Sequence, residues 1–299
     1  MRILRTIQAI EQERGQWQGQ VGFVPTMGYL HAGHLSLVER ARAENQVLVA
    51  SIFVNPAQFG PHDDLERYPR NLERDLELLE AHGVDAVFTP TAAEMYPEGF
   101  ATYVEPHGPL AEQSEAAARP GHFRGVATIV LKLFQLVQPR QAYFGQKDAQ
   151  QVAVIRRMAS DFNLPITLRI LPTVRESDGL AMSSRNSYLD PASRAAARVL
   201  YRALQAGRSA FDAHQGGDPQ TVRQAMIDVV AHEPRAQLEY AEVRDAQSFL
   251  MLATLQAPAL LLIAARIGTA RLIDIFALHA DGQWETGILQ PEPARNETL

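Results

Sequence analysis

The chain has 299 residues, 46% of them hydrophobic, a formal net charge of −6 and no cysteine. This length and composition fit a globular chain with one large or two ordinary cores, and they exclude a fibrous or disordered protein. The acidic balance gives no overall basic field for nucleic acid or anionic lipid. The lack of cysteine excludes disulfides, thiolate zinc sites and thiol nucleophiles.

Neither a signal peptide nor a membrane span is predicted. The first residues, MRILRTIQAIEQERGQ, are interrupted by charges before an apolar core of signal-peptide length can form. The longest apolar run, APALLLIAA at 257–265, is too short to cross a bilayer. We therefore expect a cytoplasmic protein with no nucleic-acid or membrane partner.

Strands and helices alternate in the first half of the chain. Val21–Val24 is a short apolar run typical of a buried strand, a helix pattern follows from Leu35 to about Ala43, and Val47–Val54 is a continuous apolar run. The pattern continues with helices at Arg70–His82, Val126–Val137 and Ala149–Ser160, and with strands at Val84–Phe88, Gln141–Phe144 and Ile166–Leu171. This alternation predicts an α/β fold, a Rossmann-like doubly wound parallel sheet with helices on both faces.

The alternation of strand and helix patterns ends near residue 175. The segment RESDGLAMSSRNSYLD is polar and lacks periodicity, which predicts a loop and a domain junction. Asp190-Pro191 then provides an N-cap and a first-turn proline for a long helix. A helix at 220–232 and strands at Gln237–Arg244, Ala259–Ile267 and Arg271–Leu278 follow. We predict domains at 1–175 and 176–299, the second a smaller α+β domain with an antiparallel sheet, and we expect its polar tail from about His279 to be disordered.

The stretch PTMGYLHAGHLSL joins the first predicted strand to a helix and contains His31 and His34. Glycines allow a phosphate to approach the backbone, and the first helix amides and the two imidazoles can donate to its oxygens. These features predict a nucleotide site. A pair of surface histidines near a helix cap is the alternative, and zinc is disfavoured because no third histidine is nearby in sequence.

Other polar loops also follow predicted strands, where ligands of open α/β sheets bind. They are NPAQF with Asn55 and Gln58, GQKD with Lys147 and Asp148 followed by Gln151, and Val174-Arg175 followed by MSSR. Lys147 suits a phosphate, and Asp148 could cap the next helix or accept from a ribose hydroxyl. MSSR suits a mobile lid over a triphosphate, or else is a linker. RPGHFRG at 119–125 is either a phosphate-facing flap or a basic loop.

Taken together, PTMGYLHAGHLSL, FVNPAQF, RPGHFRGVATIVLKLF, YFGQKDAQQ and TVRESDGLAMSSRNSYL resemble the pantothenate synthetases, the pantoate–β-alanine ligase family. The resemblance extends from the N-terminus to about Leu278. HxGH motifs occur in many nucleotidyltransferases and class I aminoacyl-tRNA synthetases, but this combination points to one family. Tyr29, where a small residue is common, and Ile275-Phe276 depart from the pattern at positions that are not catalytic.

The resemblance implies ATP-dependent condensation of (R)-pantoate with β-alanine through a pantoyl adenylate. It implies magnesium with ATP, a homodimer, and a second domain that acts as a lid. His34 would take the proton-donor position beside His31, with Lys147 and Arg185 also catalytic, and Gln58, Gln151 and Asn55 would bind substrate. No residue is assigned to a metal. The implied ATP-binding residues are Met27, Gly28, Tyr29, Leu30, His31, Ala32, Gly33, His34, Gly145, Gln146, Lys147, Asp148, Val174, Met182, Ser183, Ser184 and Arg185.

Two other functions are weighed against this interpretation. Another adenylyltransferase of the HxGH superfamily, acting on a phosphate ester, would be expected to have more cationic residues for its acceptor than these amide-rich loops. A non-catalytic nucleotide sensor is disfavoured because His34, Lys147 and Arg185 are intact.

Overall fold

The computed structural model describes residues 1–61 and 63–291. The chain folds into two compact units, Met1–Leu171 and Pro172–Leu299. The first unit contains β1 (Arg2–Leu4), α1 (Ile7–Arg14), β2 (Val21–Thr26), α2 (Ala32–Glu44), β3 (Val47–Ile52), α3 (Leu72–Ala81), β4 (Ala86–Phe88), the short helices α4 (Ala92–Met95), α5 (Pro109–Glu112) and α6 (Glu115–Ala118), then α7 (His122–Val137), β5 (Gln141–Gly145), α8 (Ala149–Asp161) and β6 (Thr167–Leu171).

The six strands of the first unit form one parallel sheet in the order β1-β4-β3-β2-β5-β6. From β2 the chain proceeds to β3 and β4 in one direction, and β5 and β6 lie on the other side of β2. The strand order therefore reverses between β2 and β5. In doubly wound sheets, ligands bind at the carboxyl ends of the strands flanking such a reversal.

The sheet is buried on both faces, as its apolar strands predict. Phe23 and Val24 are adjacent in β2, so their side chains point to opposite faces of the sheet. Both side chains are fully buried, which shows that both faces are covered. Phe23 packs with α1, α7 and α8, whereas Val24 packs with α2 and α3. The predicted Rossmann-like α/β fold is confirmed.

The second unit contains β7 (Val174–Arg175), α9 (Pro191–Ala197), α10 (Val199–Ala213), α11 (Pro219–Ala231), β8 (Ala236–Asp245), β9 (Ala259–Ile267), β10 (Ala270–Leu278), β11 (Trp284–Glu285) and β12 (Ile288–Leu289). A four-stranded antiparallel sheet has the order β11-β10-β9-β8, and β12 pairs with β7 in parallel. Asp190 caps α9 by accepting the Ser193 amide hydrogen at 2.7 Å. The predicted α+β class of this unit is therefore confirmed.

Two predicted features are wrong in detail. The polar tail is ordered as far as residue 291, because Trp284 packs edge-on against Phe211 and donates to Asp212 at 2.9 Å, while β12 pairs with β7. Residues 292–299 lie outside the described part of the chain. Helix α7 begins at His122, four residues before the predicted start, since its polar first turn is buried against distant segments.

Candidate functional site

Helix α2 begins with two histidines that cap each other. His31 is the N-cap residue, and its Nδ1 accepts the amide hydrogen of Gly33 at 3.2 Å. His34 Nδ1 accepts the amide hydrogen of His31 at 3.4 Å. A neutral imidazole carries one N–H, and the other ring nitrogen accepts. Because both Nδ1 atoms accept, both protons lie on Nε2, and each ring presents an Nε2–H donor.

Burial and neighbouring positive charge keep both imidazole rings neutral. Their centroids are 4.0 Å apart. Burial, followed by the charge of Lys147, lowers the pKa of His34 to about 4. Burial, with neighbouring His34, Lys147 and Arg74, lowers the pKa of His31 far below its ordinary value. At neutral pH the site therefore offers two uncharged donors beside one lysine.

The loop before α2 uses its amides internally. Gly28 N–H donates to Thr26 Oγ1 at 3.2 Å, and the amides of Tyr29 and Leu30 donate to Asp75 Oδ2 and Oδ1 at 2.6 and 2.8 Å. These three amides are therefore engaged within the protein. The imidazole Nε2–H groups, which the sequence analysis names as phosphate donors, are not used by the helix caps, which engage Nδ1.

The loop after β5 lies on the other side of the strand-order reversal. Residues Gln146–Asp148 form a 3-10 turn. The positive charge of Lys147 in this turn contributes, after burial, to the lowered pKa of both imidazoles. Asp148 occupies the N-cap position of α8, but its side chain makes no capping hydrogen bond. The predicted cap is therefore wrong, because the 3-10 turn runs directly into α8.

Two adjacent glutamines in the first turn of α8 have different environments. Gln150 is buried; its Oε1 accepts from Glu115 N–H at 2.9 Å, and its Nε2 donates to the carbonyls of Leu110 and Gln113 at 2.8 Å. Gln151 is half-buried, and within the described part of the chain its side chain makes no such bond. Gln150 therefore fixes the short helices, whereas the Gln151 amide is available to a ligand.

The predicted substrate residue Asn55 is a buried anchor for Gln58. Its Oδ1 accepts from Ala57 N–H at 3.3 Å and from the Tyr96 hydroxyl at 2.7 Å. Its Nδ2 donates to Gly125 O at 3.1 Å and to Gln58 Oε1 at 3.0 Å. Asn55 is 1% exposed and all its side-chain positions are used. The Asn55 side chain therefore positions Gln58, and its predicted role in substrate binding stays a prediction.

This arrangement also orients the Gln58 amide. A backbone N–H can only donate and a backbone carbonyl can only accept, so Ala57 and Gly125 fix which end of Asn55 is the amide nitrogen. Gln58 must then turn Oε1 toward Asn55. Its Nε2 lies 3.1 Å from Met27 Sδ, just after β2. Gln58 therefore presents N–H groups toward the carboxyl end of β2.

The segment 119–125, predicted as a flap or basic loop, is a turn at 119–121 followed by the first residues of α7. A Cβ at Gly125 would lie 2.2 Å from Ala57 O, so glycine is needed where α7 crosses the 3-10 turn that contains Gln58. His122 Nδ1 donates to Gln58 O at 2.8 Å, and its Nε2 accepts from Arg119 at 3.2 Å. Burial, then Arg119, lowers the pKa of His122 to about 4. His122 and Arg119 both donate to the Gln58 carbonyl, so this segment positions Gln58.

The remaining predicted site residues lie in the second unit. Val174 is in β7, and Met182 N–H donates to its carbonyl at 3.0 Å. Ser183 Oγ accepts from Arg185 N–H at 3.3 Å and begins a 3-10 helix, Ser184–Tyr188. Arg175 is fully buried and forms a bidentate ion pair with Asp274, so it faces the core. The predicted unstructured loop thus contains a strand, a bridge to Ala181 and this 3-10 helix.

The sequence analysis missed Asp75 and Tyr96, which hold the His31 loop and Asn55 respectively. Asp75 lies four residues before the fully buried Leu79, on the inward face of an amphipathic helix. A carboxylate at a helix position where the pattern calls for an apolar residue was the signal that could have identified Asp75. Tyr96 lies beyond a four-residue helix and gave no such signal.

Metal-binding clusters and membrane-spanning helices are absent from residues 1–61 and 63–291. Among the described residues, no group of three histidine, aspartate or glutamate side chains could hold a metal ion. No helix in that same part of the chain has the length and hydrophobicity of a membrane span.

Known proteins resemble this chain over nearly its whole length. The family model described as pantoate-beta-alanine ligase matches residues 2–277. Pantothenate synthetase from Roseiflexus sp. is 56% identical over 94% of this chain and 100% of its own length. The Thermus thermophilus pantothenate synthetase structure superposes with a TM-score of 0.88 at 50% identity, covering 93% of this chain and 100% of that one. The Francisella tularensis pantoate-beta-alanine ligase, complexed with beta-gamma ATP and beta-alanine, gives 0.78 at 34% identity, covering 93% and 97%.

Proposed function

The chain belongs to the pantoate–β-alanine ligase family, and from this premise we propose that it joins (R)-pantoate to β-alanine at the expense of ATP, releasing AMP and pyrophosphate. One observation carries the proposal to particular residues. Two neutral Nε2–H imidazoles and Lys147 follow β2 and β5, the strands that flank the strand-order reversal, and Met27, just after β2, contacts the Gln58 amide. Donors for a phosphate chain and a neutral amide for an acid substrate are thus adjacent.

The reaction requires activation of a carboxylate, because direct attack by an amine would expel oxide. A pantoate carboxylate oxygen attacks the α-phosphorus of ATP, the bond to the β-phosphate oxygen breaks, and pyrophosphate leaves with the electron pair. The β-alanine nitrogen, deprotonated, then attacks the acyl carbon of the adenylate. The acyl C–O bond breaks, AMP leaves, and the nitrogen loses its remaining extra proton as the amide forms.

In the first step, negative charge grows on the departing pyrophosphate. His31 and His34 would donate from Nε2–H to phosphate oxygens, and Lys147 would supply the positive charge. Neutral imidazoles suit this role because the capping box fixes their donor atoms before ATP arrives, so little reorganisation is needed. His34 then acts as a hydrogen-bond donor, in agreement with its lowered pKa.

The two glutamines suit pantoate. A neutral amide can bind hydroxyl and carboxylate groups without adding charge that competes for the phosphates. The oriented N–H groups of Gln58 would donate to the pantoate carboxylate, with the same side chain near β-alanine, and Gln151 would bind from the start of α8. Asn55 serves by holding Gln58 in this orientation.

Other assignments are proposed from the motifs. The first domain, 1–175, would bind ATP and pantoate, and the α+β domain, 176–299, would act as a lid. Arg185 would contribute to catalysis. ATP would contact residues 27–34, 145–148, 174 and 182–185. ATP would enter as its magnesium complex, since magnesium commonly binds through substrate phosphates and water. We also propose a cytoplasmic homodimer.

The test is ATP consumption with pantoate and β-alanine each omitted in turn. We expect AMP formation only with both substrates, and exchange of labelled pyrophosphate into ATP with pantoate alone. Exchange that required β-alanine would contradict the adenylate pathway. Activity with a phosphate ester in place of pantoate would instead indicate another adenylyltransferase of this superfamily.

A further inference from the structure

The loop between β2 and α2 has an unusual backbone. Gly28 has φ +81° and Tyr29 has φ +51°, so two consecutive residues are left-handed and the second carries a side chain. A Cβ at Gly28 would lie 2.9 Å from Ile52 Cγ2 and 3.0 Å from Asp75 Oδ2. Residues with side chains rarely adopt such a conformation unless surrounding groups impose it.

The Asp75 side chain holds this loop by hydrogen bonds. Its two carboxylate oxygens accept from the consecutive amides of Tyr29 and Leu30 at 2.6 and 2.8 Å. The side chain is 1% exposed, and Arg74 Nη1 donates to Leu30 O at 3.0 Å from the same turn of α3. Asn71 caps α3 by accepting from Arg74 N–H at 3.2 Å. The carboxylate is therefore presented from a well-anchored helix.

A half-open pocket borders the loop on one side. It has a volume of about 280 Å³ and is lined by Gly28, Tyr29, Asp75 and residues at the ends of β3 and β4. On this side the loop faces space that solvent can enter. The two hydrogen bonds to Asp75 hold the backbone of Tyr29 and Leu30 beside this pocket.

Leu30 leads directly into His31, the N-cap of α2. A displacement of the Leu30 amide moves the His31 amide, which is the donor to His34 Nδ1. We propose that Asp75 is a positioning residue that fixes both imidazoles, and thereby their Nε2–H donors, through the backbone of residues 29–31. Its kinetic consequence rests on the proposed function, whereas its structural consequence does not.

The test is Asp75→Asn, because asparagine has one acceptor and must place its NH2 group against one of the two amides. Glu73→Gln is the matched control, since Glu73 is exposed and lies in the same first turn of α3. We expect pantoate-dependent pyrophosphate exchange to fall about 10- to 100-fold in Asp75→Asn. The reaction of preformed pantoyl adenylate with β-alanine should fall less than about 3-fold, and Glu73→Gln should match wild type in both.

A second readout needs no activity. Imidazole ¹⁵N NMR should show the Nε2–H tautomer for His31 and His34 in the wild type and in Glu73→Gln, and altered ring signals in Asp75→Asn. Should Asp75→Asn not fold, Asp75→Glu keeps the charge while moving the oxygens, and the same ring changes are expected. Unchanged ring signals, or equal losses in both half-reactions with only a lower Tm, would overturn the proposal. A wild type without exchange would count against the proposed function, while the ring signals would still test Asp75.

Discussion

The imidazole rings of His31 and His34 lie 4.0 Å apart and are tilted by 37°, with each Nδ1 committed to a backbone amide. Few side chains other than serine, threonine, aspartate and asparagine commonly cap helices, and these two rings do so as neutral acceptors. The same arrangement turns their protonated edges away from the helix. Capping therefore uses one edge of each ring and leaves the opposite edge for the proposed bond to phosphate.

His34→Ala should impair adenylation much more than amide formation. The removed Nε2–H donor matters most while charge develops on the phosphates, and a preorganised donor of this type is worth on the order of 10²–10³ in rate. Pyrophosphate exchange and single-turnover reaction of preformed pantoyl adenylate measure the two halves separately. His232→Ala, at the end of α11, is the control.

The variant should also lose one capping interaction, about 1 kcal/mol of unfolding free energy, and remain folded. Equal losses in both half-reactions by a folded variant would show that His34 is not chiefly a phosphate ligand. A lower Tm with nearly intact turnover would assign the ring to stability alone.

The stability of the first unit should fall as the pH is lowered from 6.5 to 4.5. His31, His34 and His122 have pKa values held below the ordinary 6.5, so in this window the unfolded chain binds protons that the folded chain does not. Each such group contributes a slope of up to about 1.4 kcal/mol per pH unit. Glu44, whose pKa is lowered to about 2 chiefly by Arg169, has its effect below this window.

Urea unfolding can resolve this slope. Trp17 reports on the first unit in a Trp284→Phe variant, because the chain has two tryptophans. In His122→Gln the new amide can still donate to Gln58 O and accept from Arg119, so stability near neutral pH should change little. The dependence of its unfolding free energy on pH should lose the contribution of one histidine. An unchanged dependence would contradict neutral burial of His122.

Gln151→Ala should impair pantoate binding, whereas Gln150→Ala should impair stability, although the two residues are adjacent. Gln151→Ala removes the amide proposed to bind pantoate, and it should weaken pantoate binding by roughly 1–3 kcal/mol, with ATP affinity and Tm nearly unchanged. Loss of the three internal bonds in Gln150→Ala should lower Tm, with little change in the KM for pantoate. Equal effects on ATP and pantoate in Gln151→Ala would place this residue elsewhere.

The sequence predicts well what depends on local pattern. Strand β9 has its predicted bounds, since Ala259–Ile267 is a continuous apolar run with turns on both sides. The Asp190-Pro191 signal likewise marks the start of α9. The motif histidines lie at the strand-order reversal, because strand exits of a parallel sheet share one edge.

Partners distant in sequence were not predictable in the same way. His122 and Arg119 read as loop residues because their acceptor, the Gln58 carbonyl, is about sixty residues away. Asp75 contacts residues 45 and 46 positions earlier. Such bonds arise from tertiary packing, which a local periodicity does not encode.

Asp274→Asn should strongly destabilise the second unit. Arg175 and Asp274 are 0% and 1% exposed, and Arg175 also donates to the carbonyls of Thr286, Gly179 and Ile275. Removing one charge leaves the guanidinium buried without its counterion, which typically costs about 3–5 kcal/mol. Urea unfolding followed by Trp284 in a Trp17→Phe variant measures it.

Asp161→Asn provides the contrast, because the Arg157–Asp161 pair lies on an exposed helix face. Its loss should cost less than about 1 kcal/mol. If both substitutions have similar small effects, the buried pair does not organise the second unit.

Asn55→Asp should weaken pantoate binding by changing which face of the Gln58 amide meets the substrate. Asparagine supplies two hydrogens, to Gly125 O and Gln58 Oε1, whereas aspartate supplies at most one even when protonated. Gln58 is then favoured with its Nε2 toward residue 55 and its oxygen toward pantoate. A lost donor and a facing acceptor together should cost roughly 1–3 kcal/mol, about 5- to 150-fold in the KM for pantoate.

The KM for ATP should stay near the wild-type value in Asn55→Asp, and Asn163→Asp, at the far end of α8, is the control for the charge change. A double-mutant cycle gives the decisive measurement. In a Gln58→Ala background, Asn55→Asp should add little to the KM for pantoate, because the amide that it reorients is gone. Fully additive effects would show that Asn55 acts on the substrate by a route that does not pass through Gln58.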